Sequence, residues 1–492
     1  MKPALILAAA AAAVAAADTT KFTPDLASAF AREASDVTVL LKFKIDTDAL
    51  NAAAADAAPE DRAQAVFDFL TQANEASKQQ VRDVVGPSTV LEPLWIANTI
   101  AANLSYETAQ SLAELEQIEI MDVNAEIQLA SFQGPVAAPG VESAREGARA
   151  SVEWGVQTVG APAIWKYFTG KGVVVGSIDT GALATHEAIK KNWRSTKGWF
   201  DPYNRKLTPY DSQGHGSHTI GTMVGANGIG VAPDAQWISC MGLNGGKGSN
   251  AKLLQCAQFM LCPTDADGTK PDCKKAPHVV NNSWGGSGAY SPFFEDIVAA
   301  WKAANIIPIF ANGNEGPSCE TTGMPGGYAS VISVGAIGSQ NNDPNALAYF
   351  SSKGSATVTD PSTGETVTIV KPDVSAPGFW IRSVGIKSNT EYVKNAGTSM
   401  AAPHVAGVVA LLKSADKTIT YDQVYQYLTQ TTDQSTLDTT EPDFWSTNKG
   451  DVAGGPNCGG VDDASWPNNR FGNGRVNVAT ILRDGSLHDT RQ

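Results

Sequence analysis

Four polar residues stand where this chain could do chemistry: Asp179, His215, Asn314 and Ser399. Ser399 lies in "NAGTSMAAPHVAGVVALL", between a glycine turn and a small, apolar run that reads as a helix. At a helix start the first N–H groups lack intrahelical partners and the dipole favours an anion. A serine there can cap the helix, or act as a nucleophile whose developing charge is met by the backbone. His215 lies in "DSQGHGSHTIGT", where Gly214, Gly216 and Gly221 permit close backbone approach. It is the expected titrating group, whereas His218, three residues into the apolar segment, is expected to be packed and hydrogen bonded. Asp179 ends the run "GVVVGSI", and taken alone it reads equally well as a turn residue. Asn314 follows "NIIPIFA" through a glycine, and its amide can donate to a developing oxyanion. A capping role accounts for Ser399 by itself, but not for the histidine turn and strand-end carboxylate that accompany it.

The elements that must position these groups are short, continuous apolar runs at 172–178, 278–284, 305–311 and 330–337, with the amphipathic "FFEDIVAAWKAA" between the second and third. Continuous rather than alternating runs indicate buried parallel strands with intervening helices, hence an α/β domain with a mostly parallel central sheet. In such sheets working groups gather beyond the carboxyl ends of the strands. Residues 353–371 predict a polar hairpin, "TYDQVYQYLTQT" a helix, and "FGNGRVNVATIL" a turn and closing helix before the end of the chain. Residues 36–132 have a different grammar. "VTVLLKFKI", "TVLEPLWIANTIAANL" and "IEIMDVNAEIQL" read as strands, and the segments between them as helices, which predicts a small α+β unit. A Pro/Gly/Ala linker at 134–150 separates it from the larger domain.

The net charge of −14, from 50 acidic and 36 basic residues without a basic block, excludes nucleic acid as an expected partner. Residues 1–17 have the anatomy of a secretory signal peptide, and no later apolar stretch is long enough to span a membrane. The mature product is therefore expected outside the cell and off the membrane. Export permits disulfides among Cys240, Cys256, Cys262, Cys273, Cys319 and Cys458. Six cysteines allow about fifteen pairings, of which Cys262 with Cys273 closes a short polar loop and is the one expected.

The segments "SIDTG", "GHGSHTIGTMVG", "ANGNEG" and "GTSMAAPHVAG", in that order, resemble the signature segments of the subtilisin family of serine peptidases. "VVNNSWGG", "NIIPIFANGN" and "WFDPYN…TPYDSQGHGSH" look most like its secreted bacillopeptidase F-like members, and the likeness covers about 150–482. It implies a three-layer α/β peptidase domain over 151–492 and roles for each residue: Asp179 to orient the histidine, His215 as base and then acid, Ser399 as nucleophile, Asn314 as oxyanion donor. Physically, a serine hydroxyl is a poor nucleophile at neutral pH, and an imidazole oriented by a carboxylate is a suitable base.

By the same resemblance, Ser283, Trp284 and Gly285 on one side and Ala311, Asn312 and Gly313 on the other hold an extended peptide, with Trp284 as an apolar wall. No carboxylate is read into the first pocket, which argues against a preference for basic side chains. Residues 18–133 resemble the ferredoxin-like propeptide of secreted subtilisins, an intramolecular inhibitor cut away within 133–150. The rival reading is a permanent adaptor domain. The expected partners are thus protein or peptide substrates and the chain's own propeptide, for a monomeric enzyme whose chemistry requires no cofactor. Subtilisins often carry structural calcium, and Asp265, Asp267 and Asp272 in "TDADGTKPD" are candidates, although that loop has only fragments of calcium-loop spacing. Sequons occur at Asn103 and Asn281, the second on an expected buried strand. Two other functions compete with the peptidase reading. A catalytically silent binding protein of the same fold remains open, whereas a lipase or esterase would carry its serine in GxSxG ahead of its acid and histidine.

Overall fold

The computed structural model describes residues 20–32, 36–129, 151–286, 294–339, 343–359, 365–447, 450–483 and 485–487. The leader at 1–17 and the linker at 134–150 lie outside the described residues. The chain forms two compact units, one from residues up to 44 with 74–93 and 98–124, the other from 45–73, 94–97 and 125 onward.

The first unit contains helix α1 (Pro24–Arg32) and strand β1 (Val37–Phe43). Helices α2 (Thr47–Asp56) and α3 (Arg62–Val85) lead to β2 (Leu91–Leu94), β3 (Thr99–Leu104), α4 (Tyr106–Ala113) and β4 (Ile118–Val123). The sheet order β2-β3-β1-β4, with β1 antiparallel to β3 and β4, is that of a ferredoxin-like split β-α-β unit. Val39, Leu41, Ile100, Ala102, Leu112 and Met121 form its core. Ser105 caps α4 by accepting from Thr108 N at 3.3 Å, as "SYETAQSL" predicts.

Two runs that read as single strands prove to be broken. "TVLEPLWIANTIAANL" divides into β2 and β3 around a 3-10 turn at Trp95–Ala97 and Asn98, whose φ is +42°. "IEIMDVNAEIQL" divides into β4 and a separate β5 (Glu126–Gln128), which already belongs to the second unit and pairs antiparallel with β9 (Lys247–Ser249) there. Period-2 patterning records which faces are buried, and it cannot say which partner buries them.

In the second unit two short helices, α5 (Trp154–Thr158) and α6 (Ala161–Ile164), precede the sheet. There follow β6 (Val174–Asp179), β7 (Trp199–Phe200), α7 (His215–Val224), β8 (Gln236–Met241), β9 and α8 (Asn250–Leu261). Next come β10 (Val279–Asn282), α9 (Glu295–Ala303), β11 (Ile307–Ala311) and β12 (Ile332–Ile337). The remainder includes the hairpin β13 (Ala356–Thr359) and β14 (Thr366–Ile369), then β15 (Val374–Pro377), β16 (Ile381–Val384), β17 (Tyr392–Asn395), α10 (Thr398–Ala415) and α11 (Tyr421–Gln430). The seven-stranded sheet runs β15-β12-β11-β10-β6-β8-β7, every neighbour parallel. Strands β6, β10, β11 and β12 are buried at every residue, which is why their sequences run apolar without alternation. Helices α7 and α10 pack together on this sheet, and α8 and α9 form the other helical layer. Helix α10 is apolar around its circumference because it is buried from Thr398 to Lys413.

Disulfides join Cys240 to Cys256, Cys262 to Cys273 and Cys319 to Cys458. The pair expected from sequence is present. The third spans 139 residues, for which loop closure predicts about 5 kcal/mol of lost unfolded-state entropy.

Three buried histidines make stability pH-dependent. Burial, above all, pushes the imidazoles of His218, His278 and His404 down to about 3, about 4 and about 4. Each ring is anchored by a backbone bond that only partly offsets burial: His218 Nε2 to Ile381 O at 2.9 Å, Val174 N to His278 Nδ1 at 3.1 Å, and His404 Nδ1 to Met400 O at 2.8 Å. An unfolded histidine titrates near 6.5, so the advantage of the folded state is complete above that pH and is lost as pH falls towards the native values. For His404 alone the gap corresponds to about 3 kcal/mol. Urea midpoints should therefore drop steeply from pH 6.5 to 4, with a shallower fall in His404→Gln. An equal slope in both proteins would refute the assignment.

Candidate active site

Asp179 terminates β6, fully buried, and its Oδ1 accepts from His215 Nδ1 at 2.8 Å and from Thr180 N at 2.7 Å. Thr219 Oγ1 approaches Oδ2 at 3.3 Å. Because a carboxylate can only accept, Nδ1 carries the proton and Nε2 is left as the base. His215 opens α7, one residue after Gly214. At Gly216 a Cβ would lie 2.2 Å from Gly181 O and 3.1 Å from Asp179 Cβ, so only glycine lets this first turn reach the carboxylate. Burial lowers the His215 imidazole, but the charge and hydrogen bond of Asp179, with the charge of Asp211, outweigh it and leave the group above its ordinary value.

Asp211 is a functional residue that sequence reasoning misses. Its Oδ1 accepts from Thr180 Oγ1 (2.8 Å), Gln213 N (2.9 Å) and Gly214 N (2.6 Å), and its Oδ2 from Ser217 N (2.8 Å) and Oγ (2.6 Å). One carboxylate thus ties the end of β6 to both sides of the histidine turn. Its position four residues before His215, in a turn, is its only signal in the sequence.

Ser399 is the second residue of α10, after Gly397, whose φ of +149° and ψ of 160° lie in a region only glycine occupies readily. The Ser399 hydroxyl donates to Ser283 O at 3.1 Å, and Ser283 Oγ donates back to Ser399 O at 2.9 Å. Pro403 lies beyond the first turn, so its missing N–H does deprive Ser399 O of an intrahelical donor. Ser283 Oγ replaces that donor. No hydrogen bond joins Ser399 to His215 among the described residues, although the helices that carry them pack together.

Asn314 is oriented by a second residue missed in the sequence, Thr398. Thr398 N and Oγ1 both meet Asn314 Oδ1, at 2.8 and 2.9 Å, and Gly313 N donates to Thr398 Oγ1 at 3.2 Å. A backbone N–H can only donate, so the atom facing it is the amide oxygen, and Asn314 Nδ2 remains as the donor the side chain offers.

Ser399 and Asn314 line one open cavity of about 390 Å³, counting its mouth, together with Ser283, Trp284, Gly285, Ala311 and Gly313. Trp284 is buried against Phe294 and Phe310, edge to face. Asn312 is the exception among the residues expected in this pocket. Its amide turns inward, donating to Ser352 O at 2.7 Å and accepting from Ser333 Oγ at 2.9 Å. β11 ends at Ala311, and Asn312 just beyond it is held fully buried by these bonds. The exposed Glu315 is also among the residues that line the cavity.

Beyond the cavity, Gly242 N and Leu243 N donate to Asp179 O at 2.9 and 3.1 Å, and the chain proceeds to β9. Across β9 lies β5, with Leu129 N donating to Gly246 O at 2.8 Å and Lys247 paired with Glu126 at 3.1 Å. This edge, in "LNGGKGS", is too short and polar for periodicity to reveal.

The loop carboxylates considered for calcium do not fit that ion. Asp265 pairs with Lys197 at 3.0 Å and Lys270 at 3.4 Å, Asp267 accepts from Thr269, and Asp272 from Lys274 N. Among the described residues no group of three or more His, Cys, Asp or Glu is gathered for a metal. Asn281 is fully buried with its Nδ2 donating to Ser283 Oγ, so its sequon is blocked in the folded protein, whereas Asn103 is exposed.

A parallel sheet between helical layers, with a carboxylate–imidazole couple and a helix-borne serine beyond its strands, defines a three-layer α/β protein. The model of the subtilase family matches residues 170–474, and the chain belongs to that family. It is 32% identical over 418 residues to bacillopeptidase F of Bacillus subtilis (strain 168), covering 80% of this chain and 26% of that protein. It is 29% identical over 294 residues to serine protease AprX of the same strain, covering 54% of this chain and 62% of the relative. Subtilisin E from that strain is 31% identical over 290 residues, with 57% and 66% covered. The matches thus span about a quarter of bacillopeptidase F and under two thirds of AprX. No helix among the described residues is long and apolar enough to cross a membrane.

Proposed function

We propose that the chain is a serine endopeptidase that hydrolyses peptide bonds through an acyl-enzyme. His215 Nε2 takes the proton of Ser399 Oγ as the oxygen attacks the scissile carbonyl, and Asp179 stabilises the imidazolium. The carbonyl oxygen becomes an oxyanion that the Ser399 N–H and Asn314 Nδ2 receive. His215 then returns the proton to the leaving amine, and water repeats the sequence on the ester. The observation that carries this reading is that Ser399 and a donor-oriented Asn314 front the same cavity. Labelling of Ser399 by a serine-directed phosphonate tests it. A folded, mature protein that takes no label would be the silent binding member of the fold instead.

Asn314→Ala should lower kcat about 10²–10³-fold, the size measured for this donor in subtilisin itself, with KM little changed. A purely structural asparagine would show its loss in thermal stability with kcat retained.

We further propose export as a self-processing zymogen. Support comes from the leader-like residues 1–17, three disulfides, and β5, an extended piece of the chain's own N-terminal region added as a strand beside β9. An added strand of this kind is how a peptide substrate would bind, so residues 18–133 act as inhibitor until cleavage within 133–150. The mature enzyme is a monomer.

A further inference from the structure

The cavity wall at Thr321 and Gly323 does not stand by itself. Thr321 N donates to Lys353 O at 3.0 Å, Lys353 N donates to Thr321 Oγ1 at 3.1 Å, and Glu320 N donates to Gly354 O at 3.0 Å. The same support reaches the opposite lining, where Glu315 N donates to Ser352 Oγ at 3.0 Å and Ser352 N to Gly313 O at 3.0 Å. Residues 352–354 are therefore an underlay for the pocket.

Lys353 is fully buried, and its Nζ does not end within this underlay. It pairs with Glu441 Oε1 at 2.5 Å and donates to Gly455 O at 3.3 Å, both in the polar segment that follows α11. Glu441 Oε1 also accepts from Trp445 Nε1 (2.7 Å) and Gly455 N (2.9 Å), and its Oε2 lies 3.2 Å from Arg470 Nη2. Arg470 is buried, donates to the carbonyls of Thr439 and Thr440, and approaches Asp463 at 3.9 Å. Cys319, two residues before Thr321, is covalently joined to Cys458 in the same segment. A buried cluster of two cations and two anions and one disulfide thus converge on the back of a single pocket wall.

We infer that the C-terminal segment from Asp438 to Arg470 determines specificity, with Lys353 and Glu441 as positioning residues that fix the Thr321–Gly323 wall against the side chain entering the cavity. This rests on the peptidase reading above. Burial makes the coupling strict, because removing one partner strands a charge that the segment must move to rehydrate. The segment is then part of the working enzyme, and trimming it would alter the choice of substrate.

The test uses the full chain after maturation, with peptides differing only at the residue that enters the cavity: glycine, leucine, phenylalanine and lysine. Glu441→Gln keeps the shape and removes the charge. Its kcat/KM for the glycine peptide should stay within about twofold of the parent, while that for phenylalanine falls about tenfold or more, carried by KM. Equal loss on all four peptides, or no loss, overturns the inference. If Glu441→Gln does not fold, the Cys319→Ser/Cys458→Ser double variant is measured on the same peptides: a selective loss on phenylalanine upholds the inference, and a uniform loss or none overturns it. Phosphonate labelling of the parent separates the two failures: an unlabelled parent defeats the peptidase reading, and a labelled one with unchanged selectivity in the variant defeats only this inference.

Discussion

Ser399→Ala should reduce kcat by about a millionfold, or about 8 kcal/mol of transition-state stabilisation, and abolish phosphonate labelling. That is the size of loss known for subtilisin when its serine is removed. The fold should survive. Ser399 keeps its carbonyl, so the bond from Ser283 Oγ persists, and only the hydroxyl's bond to Ser283 O disappears, worth about 1 kcal/mol. N-terminal sequencing supplies a second readout. Parent protein should begin within 133–150, whereas Ser399→Ala produced in the same host should retain the preceding residues. Retained hydrolysis or labelling in a properly folded Ser399→Ala would end the proposal. Cleavage of that variant at the parent site would restrict the error to self-processing.

Asp179→Asn should cost about 10⁴-fold in kcat/KM and also move the pH profile. In the parent, Asp179 holds the His215 imidazole above its ordinary value against the opposing effect of burial. The base works when neutral, so the acidic limb of kcat/KM should lie above pH 6.5. With a neutral amide in place of the carboxylate, burial is left largely unopposed and the limb should move below 6.5. The linked stability has the matching sign. A raised native value favours the folded state fully below pH 6.5, and that contribution is lost as pH rises through the native value. Asp179→Asn should therefore be destabilised more at pH 5.5 than at pH 9. A variant that loses activity without moving the acidic limb would place Asp179 outside the histidine's electrostatics.

Much of the site is legible in the sequence because its residues interrupt strong local patterns. Asp179, Asn314 and Ser399 each follow an apolar run or a glycine turn, and His215 sits among glycines that a helix interior would not carry without a reason such as Gly216 against Gly181 O. The alternation of buried runs with helical segments predicts the parallel sheet for the same reason: burial on both faces leaves no polar period. Asp211 and Thr398 are not distinguishable from ordinary turn and helix-start residues, since their roles consist of bonds to atoms distant in sequence. Asn312 is adjacent to the pocket in sequence and faces away from it in space.

The amino-acid sequence alone determined the fold class, the buried parallel strands and the most local disulfide, and it singled out the four groups proposed for the chemistry, because each depends on residue type and on periodicity over a few positions. Only the tertiary structure decided which atoms meet: the proton of His215 on Nδ1, the amide oxygen of Asn314 against Thr398, the exchange of bonds between Ser283 and Ser399, and β5 beside β9. Periodicity specifies how much of a side chain is withdrawn from water. Hydrogen-bond direction and partner are fixed by the packing of segments up to hundreds of residues apart, and no local pattern encodes them.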